Sequence, residues 1–172
     1  MTRVSALLLA SIFMLACSTG VSPKTATSSS CDTASLEMAL ASGGVAAGTV
    51  RADIELRNIS GGECELYGYL KLDLLDLEGR PVRARIEQSR NDLFLLTPAP
   101  FATVALPAHG RAYAPLRWND QAEPCVTVYK LRITPPGSTE PAVIRVGPDA
   151  FANVVICSGG LVTMNPVRAT PY

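Results

Sequence analysis

The sequence has a single histidine, His109, and that scarcity removes several kinds of chemistry at once. A Ser-His-Asp triad would have to use this one residue, and no Gly-X-Ser-X-Gly surrounds any serine. Cysteines never occur as Cys-X-X-Cys or beside His109, so the spacing of a zinc site is missing. Neither sign of charge is in excess: Lys plus Arg is 15 and Asp plus Glu is 15, so no net field draws the chain to nucleic acid. No stretch joins helical periodicity to helix caps. A membrane-spanning helix needs about 20 apolar residues. The one long apolar run, Val4 to Ala16, is shorter and is interrupted by Ser5 and Ser11.

That run has its own meaning. One positive charge at Arg3, a short apolar core and small residues at its end describe a secretory signal over residues 1–16. Met14-Leu15-Ala16-Cys17 resembles a bacterial lipobox, with Met14 where Leu is usual. Cleavage before Cys17 and lipidation of its thiol are expected, plain secretion being the alternative. Residues 17–30, the acylated cysteine followed by STGVSPKTATSSS, form a flexible tether with a reach on the order of 20 Å. Ser18 follows the acylated position. In a cell with two membranes it favours the outer one, the domain facing the periplasm, because the usual retention signal there is Asp. The membrane, through the lipid, is thus the first expected partner.

Export implies an oxidising compartment, where Cys31, Cys64, Cys125 and Cys157 read as disulfides. Three connectivities are open. Cys31 precedes a first strand, and Cys64 follows the turn that ends the next. If those strands are neighbours, the start of one lies near the end of the other. Cys125 opens TVYKLRIT and Cys157 closes NVVIC after a chain reversal. The expected pairs are therefore Cys31–Cys64 and Cys125–Cys157.

The intervening residues, 31–172, read as strands of one domain. Val50, Ala52, Ile54 and Leu56 alternate with Arg51, Asp53, Glu55 and Arg57, giving a half-buried strand with one charged face. SLEMAL reads as a strand, although Leu36 and Leu40 would also share a helix face. Leu70, Leu72 and Leu74 change phase to Leu75 and Leu77, as a β-bulge would make them. Val82, Ala84 and Ile86 mark another strand, and residues 89–103 a long loop. TVAL, Pro107–Gly110 and RAYAPLRW suggest a hairpin. TVYKLRIT, Pro135-Pro136-Gly137 and AVIRVG suggest a second, followed by NVVIC and LVTMNPV. With 13 Gly and 13 Pro spread along the chain, short strands and frequent turns point to an antiparallel β-sandwich.

In order, Cys31, GGVAAGTVRADIELRNISGGECELYGYLKLDLLDLEGRPV, VALPAHGRAYAPLRW, CVTVYKLRITPPG and CSGGLV resemble the family called domain of unknown function 4232, over residues 31–168. That family is found in secreted and lipid-anchored bacterial proteins. Gly68-Tyr69-Leu70 departs from its Gly-aromatic-Pro, and Pro107-Ala108-His109-Gly110 from its Pro-Gly-Gly. The resemblance implies an immunoglobulin-like all-β sandwich and supplies no catalytic residue.

Candidate sites are few. His109 suits a turn tip better than a general base. Gly43, Gly44 and Gly48 precede a strand, unlike a phosphate loop, and read as turn glycines. Asp73, Asp76 and Glu78 lack the alternate-position oxygens of a calcium loop. Asn58-Ile59-Ser60 matches a glycosylation triplet that the bacterial leader discounts. Arg80, Arg83, Arg85 and Arg90 are the densest basic cluster. Arg83 and Arg85 should point outward beside Glu87, as a solvated face or a contact for anionic headgroups or wall polymers. Tyr67, Tyr69 and Tyr113 are candidates for an aromatic binding surface, whereas Trp118 is in phase with core positions. No cofactor or metal motif is present. The expected function is a non-catalytic binding or structural domain for an envelope protein or glycan, the alternative being a small carboxylate-dependent hydrolase.

Overall fold

The structure, a computed structural model, describes residues 29–93, 97–148 and 152–171. The leader, Cys17 and the tether through residue 28 lie outside the described residues. Thirteen strands follow in chain order: β1 Ser29–Ser30, β2 Leu36–Ala46, β3 Thr49–Asn58, β4 Cys64–Leu66, β5 Lys71–Leu75, β6 Arg85–Gln88 and β7 Val104–Leu106. Then come β8 Arg111–Asn119, β9 Val126–Val128, β10 Lys130–Thr134, β11 Ala142–Arg145, β12 Val154–Ile156 and β13 Leu161–Met164. One sheet has the order β2-β3-β8-β13-β6, and facing it are β1-β4-β7, β11-β10-β5 and the pair β9-β12.

The long hairpin β2–β3 forms as its alternation requires. Ala52, Ile54 and Leu56 are buried, and the charged set faces outward. Its two-residue turn has Ala47 at φ 49° and Gly48 at φ 75°. Both left-handed residues match the twist of a tight hairpin. Leu56, Leu116, Val162 and Met164 from the large sheet meet Leu66, Leu74, Leu131 and Ile133 from the opposite layer in one core. Trp118, 6 % exposed, is part of it and donates its indole N–H to the Val155 carbonyl at 3.1 Å.

Both disulfides join cysteines adjacent in sequence order, Cys31–Cys64 and Cys125–Cys157. Leu36 pairs with Asn58, which brings the start of β2 beside the end of β3, and Cys31 donates its N–H to Glu65 at 3.0 Å. At the other bridge Val126 pairs with Ile156, so each cysteine flanks the same ladder end. Closing loops of 33 and 32 residues contributes about 3–4 kcal/mol per bridge on a loop-entropy basis.

Several strand assignments differ from the sequence reading. Residues 104–118 form no hairpin: β7 pairs with β4, while β8 pairs with β3 and β13. The Pro107–Gly110 turn docks on the end of β3, where His109 donates to Asn58 and Asn58 donates to Gly110. It thereby carries the chain from one layer to the other. TVYKLRIT is two strands, divided at Tyr129, whose N–H goes to Leu75. Val128 and Leu131 are both buried, so the facing reverses at that division. The bulge expected at Leu74–Leu75 is instead a strand end. The β5–β10 register is continuous from Lys71 to Leu75, and the chain then turns through Asp76–Gly79. A register shift occurs in β2, between Ser42 and Gly44. The sandwich is not wholly antiparallel, since β1–β4 and β6–β13 are parallel.

Asn58 is fully buried at the junction of these pieces. Its Nδ2 donates to the carbonyls of Gly62 (2.8 Å), Leu106 (2.9 Å) and Pro107 (3.2 Å), and its Oδ1 accepts from the Ser60 N–H (2.9 Å) and hydroxyl (2.7 Å). The residue that heads a glycosylation triplet in sequence is an internal clamp in the fold.

Candidate binding site

The outward face of the large sheet is ordered by register. At the end near the chain's start, Arg57 pairs with Glu37 and Arg111 with Glu55, the latter at 2.7 Å. In the middle, Asp53 faces Arg168 at 3.9 Å. At the far end the pattern changes. Arg51 on β3 stands directly opposite Arg117 on β8, with Thr163 of β13 next in the row. The two arginines thus leave the sheet side by side on one face.

The surface around this pair is concave. The register shift brings Gly44 opposite Arg51. A side chain at Gly43 would have its Cβ 3.1 Å from the Cβ of Arg51. Glycine here leaves the approach to Arg51 open from the sheet edge. A cleft of about 440 Å³ lies over Gly43, Gly44, Thr49, Arg51, Leu93 and Arg117. A second, of about 300 Å³, shares Thr49 and Arg117 and continues over Asn119, Ser158 and Thr163. Together they make a groove across β3, β8 and β13. Arg51 and Arg117 are half-buried, and Arg117 donates through Nη1 to the Leu93 carbonyl at 2.9 Å, which fixes its direction.

A second surface lies by the point where the chain enters the domain. Tyr67 packs edge-on against Phe101 with ring centroids 4.9 Å apart, and Tyr69 lies 5.8 Å from the same ring. The Arg90 guanidinium covers that ring at 4.2 Å, a cation–π contact. Burial pushes the Tyr69 phenol above its ordinary pKa, against the charge and hydrogen bond of Arg90. Tyr67 is 56 % exposed and borders a cleft of about 290 Å³ with Ser30, Glu65 and Pro136.

The sequence-derived candidates are thus partly gathered and partly dispersed. Tyr67 and Tyr69 share one cluster, whereas Tyr113 stands in the middle of β8, bridged to Arg168. Of the arginine cluster, Arg80 binds Asp76 and Glu78, Arg90 covers Phe101, and Arg83 and Arg85 are exposed on or beside edge strand β6. Arg85 pairs with Glu87 at 3.0 Å on the same strand. Asp73 faces Arg132 at 3.4 Å. Among the described residues no group of His, Cys, Asp and Glu is placed to hold a metal ion. His109 is an exposed turn residue at φ 64°. Gly48, at φ 75°, is a turn glycine, whereas Gly43 and Gly44 lie within β2 at its register shift. Cys17 lies outside the described residues. Sequence reading missed the Arg51–Arg117 pair: each has an outward phase, but only the register joins them. It also missed Phe101, which sits in a loop without periodicity.

No curated protein and no solved structure matches the chain. The family described as a domain of unknown function (DUF4232) matches residues 31–169, from Cys31 past the last strand of the sandwich, and the chain belongs to that family.

Proposed function

We propose that the protein is a lipid-anchored extracytoplasmic domain, tethered through Cys17, whose immunoglobulin-like sandwich binds or organises an envelope protein or glycan without catalysing a reaction. The observation that carries this reading is the stapled start of the domain. Ser29–Ser30 lies along β4, and the Cys31–Cys64 bridge follows at once, so tension on a tether would be delivered directly into a sheet. Two disulfides suit an exported chain. The non-catalytic half is supported by the pairing of Glu37, Glu55, Asp73, Asp76 and Glu87 with arginines, so that each of these carboxylates faces a cation on the surface rather than a second carboxyl group across a cleft. In a two-membrane cell the anchor is in the outer membrane, with the domain in the periplasm. Metabolic fatty-acid labelling tests the anchor: wild type takes up label and Cys17→Ser does not. Equal labelling of the two overturns it.

A further inference from the structure

We infer that strand β6 is a self-association edge, at which a second copy of this chain adds its own β6 antiparallel about a twofold axis through Ile86. This goes beyond the function proposed above and does not rest on Cys17. β6 closes one side of the large sheet, and among the described residues β13 is its one neighbouring strand. Arg85 donates its N–H to the Gly160 carbonyl at 3.0 Å and Ser89 to the Met164 carbonyl at 2.9 Å. Backbone groups alternate sides along a strand. Those of residues 85, 87 and 89 therefore turn to β13, and those of Ala84, Ile86 and Gln88 turn to the open edge. Among the described residues none of these three has a backbone hydrogen-bond partner there. Edges are commonly blunted by bulges, prolines or charge. The opposite edge strand, β2, carries its register shift between Ser42 and Gly44, whereas the β6–β13 ladder is unbroken from Arg85 to Gln88.

The charges on this edge choose the partner. Arg85 and Glu87 lie together on the outward face, their side chains 69 % and 49 % exposed. Antiparallel pairing centred on Ile86 sets Arg85 of each copy opposite Glu87 of the other, twice, and Ala84 opposite Gln88. All the open-edge residues then fall at hydrogen-bonded positions of the new ladder, as such a pair requires. Sliding the axis by one residue opposes Glu87 to Glu87 or Arg85 to Arg85, and like charges directly opposite are unfavourable. One register is thus selected. On the inner face the two Ile86 side chains, half-buried against the core, lie opposite one another at the axis and complete each other's burial. The contact uses the same patch on both copies and closes as a dimer, joining two five-stranded sheets into one.

The test uses the full protein purified in detergent, with sedimentation equilibrium at a solvent density matched to the micelle. Wild type should show a concentration-dependent monomer–dimer equilibrium. Arg85→Glu and Glu87→Arg each make both cross-copy pairs repulsive and should weaken association roughly 10–100-fold. An equal mixture of these two variants should associate like wild type, because their edges are complementary to each other. The double exchange Arg85→Glu/Glu87→Arg should restore self-association. Gln88→Pro removes an N–H that faces only the open edge, so it should leave the urea midpoint unchanged and abolish the dimer. If Gln88→Pro lowers the midpoint, the charge exchange alone decides. A wild type that stays monomeric at every concentration overturns the proposal. So does a dimer that survives Gln88→Pro in folded protein, or a mixture of the charge variants that associates no better than either alone.

Discussion

Replacing Asn58 by alanine should cost about 3 kcal/mol of folding free energy. Asn58 is fully buried and serves five hydrogen bonds that tie the end of β3 to the 60–62 turn and to the 106–107 crossing. The Leu106 carbonyl is left without its donor inside the core, a loss of about 1–3 kcal/mol. Gly62 and Pro107 are exposed, so water takes over those carbonyls and each bond contributes only about 0.5–1 kcal/mol. For a domain of this size the midpoint should fall by roughly 10 °C. Urea unfolding of the oxidised protein measures it. Asn58→Asp separates the hydrogen-bond argument from simple cavity formation. It keeps the volume but aims a carboxylate at three carbonyl oxygens, and together with burial this raises its folded-state pKa. A raised pKa stabilises the fold at low pH and withdraws that stability as pH rises through the folded value. Asn58→Asp should therefore be most stable near pH 4 and weaken toward pH 7. A loss below about 1 kcal/mol for the alanine variant, or a flat pH profile for the aspartate, would refute the clamp.

Two further predictions concern turns. Gly160 and Gly159 both have left-handed φ, 78° and 73°, but a Cβ on Gly160 would lie 2.7 Å from the Arg83 carbonyl oxygen, whereas one on Gly159 meets nothing within 4 Å. Gly159→Ala should cost about 1 kcal/mol for backbone strain alone and Gly160→Ala distinctly more, with β6 loosened from β13; equal losses in urea would count against this packing. For Asp76, burial raises the carboxyl pKa, but the backbone and side-chain hydrogen bonds and charge of Arg80 outweigh it, and the net shift is below the ordinary 3.8. Its contribution to stability is therefore present above the unfolded pKa and lost as pH falls through the folded one; an NMR titration of the Asp76 carboxyl should give a low midpoint that rises in Arg80→Gln, and a midpoint at or above the ordinary value would exclude the interaction.

What the sequence discloses and what it conceals divide along one physical line. Period-two alternation names the inward face of a strand, and so β3, the buried phase of Trp118 and the outward phase of Arg83 and Arg85 are legible. Alternation says nothing about a strand's partner. Val104 and Leu106 alternate with Ala105 equally well whether β7 pairs with β8 or β4, and the docking of the Pro107–Gly110 turn on Asn58 decides it. The cysteine pairs were readable because chain reversals constrain which strand ends meet. Tyr129 was not, since a division inside TVYKLRIT only becomes visible when Leu75 takes its N–H. The groove belongs to the concealed class, because Arg51 and Arg117 are 66 positions apart by their numbering and meet through register alone.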